Sequence, residues 1–256
     1  MTLRETSSQK HGTPAVSGFM LATLLAFFGM QANAQDVDKH VSLLGIQSGT
    51  VISGGAGFAA ISLTDKRAPG LGEEDGSAVV GLGFGNARRN VGVQVAVHAT
   101  SLRDGVGDSG YVSLKFSRRL LNGRNPVSGS LRLGQLANWG KADGLEETAA
   151  MAFTRSMKMT LGNGEVYPTR MTLGAGTHLR NSYTDPGVFA GVGIGLTETT
   201  AASIAWTGDG IRLGTKFRFD WAENASFGLS IDDATNRINK RRVIVSVGYR
   251  FDLFGG

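Results

Sequence analysis

The side chains best suited to covalent chemistry in this chain are a few serines and histidines. His98 stands near Ser101 and Ser113, and His178 is a second candidate base. A serine becomes a nucleophile when a histidine takes its proton and a third polar group orients that histidine. No nucleophile motif surrounds either serine, and His98 alternates in step with small polar residues rather than with the apolar ones. The favoured interpretation is a hydrogen-bonded structural histidine, with no catalytic residue.

Basic side chains form a second group that could act together. They share the polar side of segments in which apolar and polar residues alternate, and three acidic residues, Asp220, Asp232 and Asp252, share that side with them. In a water-filled space, such an excess of positive charge attracts anions and repels cations. The alternative is that Arg218 or Arg250 pairs with Asp220 or Asp252 and helps to close a packed interior. The basic residues are Lys115, Arg132, Lys158, Arg170, Arg212, Lys216, Arg218 and Arg250.

Neither a cofactor site nor a metal site is predicted. The Gly-x-Gly runs at Gly81–Gly85 and Gly191–Gly195 lack the following helix that a nucleotide-binding loop needs. Glycines on the polar side of a strand more plausibly make room inside a narrow barrel. No His, Asp or Glu cluster has a spacing suited to a metal ion.

The composition excludes several classes of protein. The 256 residues are 41% hydrophobic, which is too much for a disordered chain, and 38 of them are glycine without a collagen-like period. The net charge of +5 is only moderately basic, and Lys240–Arg242 is the one basic run, so nucleic-acid binding has no specific support.

The N-terminus has the pattern of a secretion signal. An uncharged apolar run, Gly18–Met30, is followed by Ala32-Asn33-Ala34, the small-x-small pattern at which signal peptidase cleaves. The run is too short for a membrane-spanning helix, which needs about 20 apolar residues. We therefore predict a signal peptide over 1–34 and export of the chain. The segment 35–50 is predicted to be a lead-in or a plug.

The rest of the chain alternates with a period of two between turn residues, which predicts strands rather than helices. A soluble β-sandwich and a transmembrane barrel both fit this pattern. The barrel is favoured because the segments exceed the ~5–6 residues usual in globular sheets, because long and short connections alternate, and because aromatic residues gather near strand ends. The predicted strands are 52–64, 76–86, 90–101, 110–119, 127–138, 149–161, 168–179, 187–197, 200–207, 210–221, 225–232 and 241–253.

The last strand resembles a known sorting signal. Ser246, Gly248, Phe251 and Leu253 are similar in type and spacing to the C-terminal signal of bacterial outer-membrane β-barrel proteins. The resemblance implies recognition by the barrel-assembly machinery and insertion among outer-membrane lipids.

Together these observations predict an all-β fold, a single transmembrane antiparallel β-barrel of about 12 strands over 51–256. The expected function is a narrow porin-like channel in the cell outer membrane, with a mild preference for small anionic solutes. The alternatives are a non-conducting barrel that anchors surface loops for adhesion, envelope structure or partner assembly, and, third, an outer-membrane lipid-modifying enzyme. No cofactor and no nucleic-acid partner are expected.

Overall fold

The computed structural model describes residues 41–66, 74–103, 105–162, 164–181 and 183–253. Twelve antiparallel strands, each hydrogen-bonded to its sequence neighbour, close into a barrel through pairing of the first strand with the last. No helix in the described ranges is long and apolar enough to cross a membrane. The strands are β1 Ala56–Thr64, β2 Asp75–Gly85, β3 Gly92–Ala99, β4 Gly110–Leu121, β5 Val127–Trp139, β6 Thr148–Thr160, β7 Val166–Arg180, β8 Asp185–Gly195, β9 Thr200–Trp206, β10 Ile211–Phe219, β11 Ala222–Asp232 and β12 Arg242–Asp252.

The expected fold class, an all-β closed barrel of about twelve strands, is confirmed. The one strand that differs clearly is the first, which begins at Ala56 rather than at residue 52. Residues 51 and 52 are still buried in the lumen, and a turn at 54–55 then leads to the wall. Alternation continues through both environments, so the sequence pattern alone does not mark this boundary.

The two faces of each strand have opposite polarity. In β3, Gln94 and His98 point into the barrel and are buried, whereas Val93 and Val97 point outward. The outward side chains of the other strands are likewise mostly apolar and exposed, and Leu173 at the middle of β7 is 61% exposed. A continuous apolar belt around a closed barrel is stable in lipid rather than in water.

The connections at the two ends differ in length. The long-loop end carries the connections 65–74, 100–109, 140–147, 181–184, 207–210 and 233–241, the third of which begins with a single 3-10 turn, Gly140–Ala142. The short-turn end carries 86–91, 122–126, 161–165, 196–199 and 220–221. Two of the connections at the long-loop end have only four residues, but the asymmetry is the one typical of outer-membrane barrels.

Aromatic residues mark the short-turn end. Trp221 is 81% exposed, and its ring stacks on Phe219 at 5.6 Å between ring centroids. Phe219 in turn packs edge-on against Phe227. Amphipathic aromatic rings favour the membrane–water interface, so this cluster defines one border of the apolar belt.

The closing seam between β1 and β12 includes the predicted assembly signal. Ser246 pairs in register with Ser62, and Gly248 pairs with Ala60. The ring of Phe251 lies over Gly57, where a side chain would collide with it. The role of Ser246, Gly248, Phe251 and Leu253 in assembly stays a prediction.

Replacing Leu173 with Arg tests the lipid-facing belt. An arginine at mid-membrane on the lipid face costs about 2–4 kcal/mol, whereas near the interface the cost falls to about 0–1 kcal/mol. Urea unfolding in lipid vesicles should therefore show a large decrease in the free energy of unfolding for Leu173→Arg. The same change at Leu161, an exposed residue in the β6–β7 turn, should have little effect. Equal losses in the two variants would contradict the placement of the belt.

Candidate functional site in the barrel lumen

The lumen holds a segment of the chain itself. Residues 42–52, which precede β1, cross the interior of the barrel, and Leu43 and Ile46 are 0% and 1% exposed. Both pack in an apolar cluster with Phe189 of β8 and Ala205 of β9. We call residues 42–52 the luminal segment. Its other apolar end, Ile52, packs with inward side chains of the first three strands: Phe58, Val79 and Ala96.

Inward-facing side chains also hold the backbone of the luminal segment. The strongest contacts surround Gly49, whose N–H donates to Thr154 Oγ1 at 2.7 Å and whose carbonyl accepts from Ser117 Oγ at 2.6 Å. Ser130 Oγ donates to the Ser48 carbonyl at 2.8 Å. A backbone without sheet partners must find such bonds when it is buried, because unpaired N–H and C=O groups are costly. Two further contacts are Ile52 N–H to Gln94 Oε1 at 3.2 Å and Leu44 N–H to Ser203 Oγ at 3.3 Å.

Inward-facing glycines make the space that the luminal segment fills. At Gly193 any side chain would collide with the carbonyl of Ser42, and at Gly191 it would press on Ile46. At Gly214 it would meet Leu44. The Gly-x-Gly run of β8 thus forms a groove in which the luminal segment lies.

Another close contact of the luminal segment is with a buried charge network. Gly45 has φ +88°, and a Cβ atom there would collide with the side chain of Arg212. Arg212 itself is 1% exposed; its Nη2 forms an ion pair with Asp232 Oδ2 at 2.7 Å, and its Nε donates a hydrogen bond to Asp232 Oδ1 at 3.1 Å. Arg242 Nη2 reaches the same Oδ2 at 2.9 Å. The network holds two guanidinium groups and one carboxylate, so removal of Asp232 would leave both cations buried without a counter-charge.

The predicted lumen cations divide into a buried and an open set. Lys115, Arg132, Arg170, Arg212 and Lys216 point inward and are buried. Lys115 and Arg132 are direct partners across the β4–β5 pair, and Lys115 Nζ donates to Ser48 Oγ at 3.4 Å. The open set lies at the short-turn mouth, where Lys158 is exposed and Arg218 and Arg250 are partly exposed.

The alternative pairing of Arg250 with Asp252 occurs, at 3.3 Å, but at the exposed mouth of the barrel rather than in its interior. The interior ion pairs join Asp232 to Arg212 and to Arg242, the last residue of the basic run Lys240–Arg242. Its parity with the inward residues Ile244 and Ser246 of β12 is the signal that could have placed it.

The candidate nucleophile and base also meet. A hydrogen bond of 2.9 Å joins His98 Nε2 and Ser113 Oγ, and the imidazole stacks on Tyr111 at 4.7 Å between ring centroids. All three are buried and face the lumen, so the pair does not meet the lipid around the barrel. Ser101 instead donates to Asp75 Oδ1 at 3.0 Å, and His178 Nε2 lies 2.8 Å from Glu146 Oε2 near the long-loop end. The non-catalytic role of these groups stays a prediction.

The rim at the long-loop end carries one more polar contact. The ammonium of Lys240 lies over the ring of Tyr183, 5.6 Å from its centroid. Burial raises the pKa of Tyr183 to about 12, and the nearby Asp232 carboxylate adds to the rise. Burial also lowers the pKa of Lys240, while Asp209 opposes that shift. Tyr183 is therefore neutral at ordinary pH and presents an uncharged ring to the cation.

Comparison with known proteins identifies a fold rather than a family. No family model and no curated protein matches the chain. The KdgM porin, solved in complex with disordered oligogalacturonate, aligns with a TM-score of 0.50 at 11% identity, over 77% of this chain and 99% of that one. The chain has the fold of an outer-membrane β-barrel. The Acinetobacter baumannii outer membrane protein Omp33 aligns over 77% of this chain and 97% of its own, with a TM-score of 0.46 at 11% identity.

A cysteine reporter tests whether the contact of Gly45 with Arg212 holds the luminal segment in place. The chain contains no cysteine, and Ser48 is buried in the lumen, so Ser48→Cys should react slowly with a bulky, water-soluble maleimide. Adding Gly45→Val should speed the labelling by an order of magnitude or more, because the new side chain needs the space of Arg212 and disfavours the positive φ.

Gly144→Val is the matched control for that experiment. Gly144 has φ +84° but no neighbouring atom within 4 Å of the added Cβ, so it carries the same backbone penalty without the collision. Fast labelling of Ser48→Cys alone, or equal acceleration by both valines, would contradict the assigned contact.

Proposed function

We propose that this chain forms a narrow outer-membrane channel that favours small anions, with the luminal segment acting as a plug that restricts flow. The observation that carries the proposal is the set of buried, inward-facing cations around that segment: Lys115, Arg132, Arg170, Arg212 and Lys216. The domain division fits this function, with a signal peptide over 1–34, a lead-in and plug over 35–50 and a barrel over 51–256.

The charge balance of the interior supports anion preference. The buried charged residues that the structure describes are six cations (the five above and Arg242) and three acids. Of the acids, Asp232 is held by two arginines, and Asp233 accepts backbone N–H bonds from Arg237, Ile238 and Lys240 in the β11–β12 loop. Asp75 accepts bonds from Ser101 and Leu102 at the start of a long loop. Between low-dielectric walls, the net positive field concentrates anions and excludes cations.

One side of the mouth supports the same direction of selectivity. Lys158 is exposed at the short-turn end and extends the positive path towards water on that side, whereas Arg250 is paired with Asp252 and Arg218 stands among acidic residues. An acidic oligosaccharide, such as the one solved with KdgM, is a suitable probe because it presents several carboxylates in a flexible chain. We propose anionic solutes of this kind as the class to be tested, with no enzymatic reaction.

A non-conducting anchor is the second candidate, and one observation favours it. The luminal segment is buried along nearly its whole length, so the barrel interior is filled at that level. If the segment never leaves, the barrel would instead serve to present its long loops for adhesion or assembly.

Planar bilayer recordings separate the two functions. The wild-type protein should give small conductance steps with a reversal potential shifted towards anion permeability. Deletion of residues 42–49 should raise the conductance because it removes the plug. Gly45→Val, a milder change, should also raise it because the new side chain displaces the plug from Arg212. Silent bilayers for the wild type and for both variants would contradict the channel.

The source of selectivity is tested by paired substitutions. Lys115→Gln with Arg132→Gln should move the anion-to-cation permeability ratio towards one, because these cations face the lumen. Arg155→Gln removes one positive charge from the outward face of the same barrel and should leave the ratio unchanged. A ratio that follows total charge rather than lumen charge would contradict the assignment.

A further inference from the structure

Positive charge is concentrated on one arc of the short-turn end. The described residues 86–91, 116–130 and 153–162 include no Asp or Glu, and Glu165 at the far end of the β6–β7 turn is the nearest acid along the chain. These segments lie next to each other because they end or join β2 to β6. Their backbones are linked, since the N–H of Arg119 donates to the carbonyl of Ala87 at 2.7 Å. We call this the basic arc. Its members are Arg88, Arg89, Arg118, Arg119, Arg124, Arg155 and Lys158.

The opposite side of the same end has the reverse charge. The turns 196–199 and 220–221 and the strand ends beside them carry Glu198, Asp220 and Glu223, with Arg218 as their one cation. The basic arc is therefore a local feature of one side of the barrel. A general excess of positive charge in the chain does not account for it.

Two members of the basic arc point away from the lumen. Arg118 shares the outward face of β4 with Phe116 and Leu120, and Arg155 shares that of β6 with Phe153. The regular β6–β7 register shows no bulge near Arg155, so its outward position is a property of the strand. Both guanidinium groups thus stand on the lipid-facing surface, at the border of the apolar belt.

The space between these two arginines suits a lipid headgroup. Arg118 is the register partner of Gly129, Gly129 is the partner of Phe153, and Arg155 lies two residues further along β6. Strand spacing and rise put the two arginine Cα atoms about 12 Å apart, which two arginine side chains can span from either side of one phosphate. Between them the surface is apolar, because Leu120 and Phe153 both approach the position of the absent Gly129 side chain.

We propose that Arg118 and Arg155 bind the headgroup phosphate of an anionic phospholipid in the membrane leaflet at the short-turn end, with its acyl chains against Phe116 and Phe153, which lie towards the membrane centre from the two arginines. The inference rests on the proposed placement of the barrel in a membrane, but it is independent of conduction. A lipid fits this site better than a protein partner does, because the side chains of Arg118 and Arg155 point outward from the barrel wall towards the surrounding membrane. The adjacent turns at the short-turn end carry Arg88, Arg89 and Arg124, and their charges attract the anionic membrane surface over a longer range.

Lipid retention measured by native mass spectrometry tests the proposal. Full-length protein in mixed micelles with equal phosphatidylglycerol and phosphatidylcholine should retain phosphatidylglycerol preferentially. Arg118→Gln with Arg155→Gln should reduce that preference by roughly tenfold or more, as expected for the loss of two surface cations. Arg237→Gln with Arg241→Gln removes two exposed cations from the opposite, long-loop end and should leave it unchanged.

Three results would overturn the proposal: no preference in the wild type, an unchanged preference in the Arg118/Arg155 variant, or an equal loss in the control. Displacement of phosphatidylglycerol by lipopolysaccharide from these two arginines would also overturn it, since the site would then face the other leaflet. Heat-modifiable gel migration should verify that each variant folds. The Arg118/Arg155 variant should keep wild-type conductance, so failure of this inference and failure of the channel are separate outcomes.

Discussion

The structure depends first on closure of the sheet by the pairing of β1 with β12. A barrel wall in lipid has no water to satisfy its backbone, so every strand needs two neighbours and no edge can remain. Closure then forces each strand to present one row of side chains outward and one inward. The apolar belt, the polar lumen and the groove for the luminal segment all follow from that one constraint. Phe251, which lies over Gly57 at this seam, places a predicted sorting residue at the contact that completes the wall.

The small inward side chains of the closed wall leave space in the lumen, and the luminal segment fills that space. The chain resolves this by inserting apolar side chains such as Leu43 and Ile46 into glycine-lined grooves, while serine and threonine hydroxyls satisfy the inserted backbone. The Arg212–Asp232–Arg242 network stands beside Gly45. Packing and charge therefore meet where the segment crosses the lumen.

Strand parity made most of the wall predictable. Alternation placed the twelve strands to within a few residues, put His98 and Lys115 on the lumen side, and left Arg155 on the apolar side. The structure retains Arg155 there without a bulge, on the same outward surface as Arg118 two strands away. Arg242 was missed because a run of three basic residues suggests a solvated loop, although only the last of them lies in β12.

By itself, the sequence determined the class of fold and the side of the wall on which each side chain lies, because a period of two is a local property of each strand. It also determined that small residues and cations share the inner face. Only the tertiary structure decided what occupies the lumen, that Asp232 is shared by two arginines from different strands, and that Arg118 and Arg155 face one patch of membrane. Those contacts join residues far apart in the chain, and their partners are set by barrel closure and strand register.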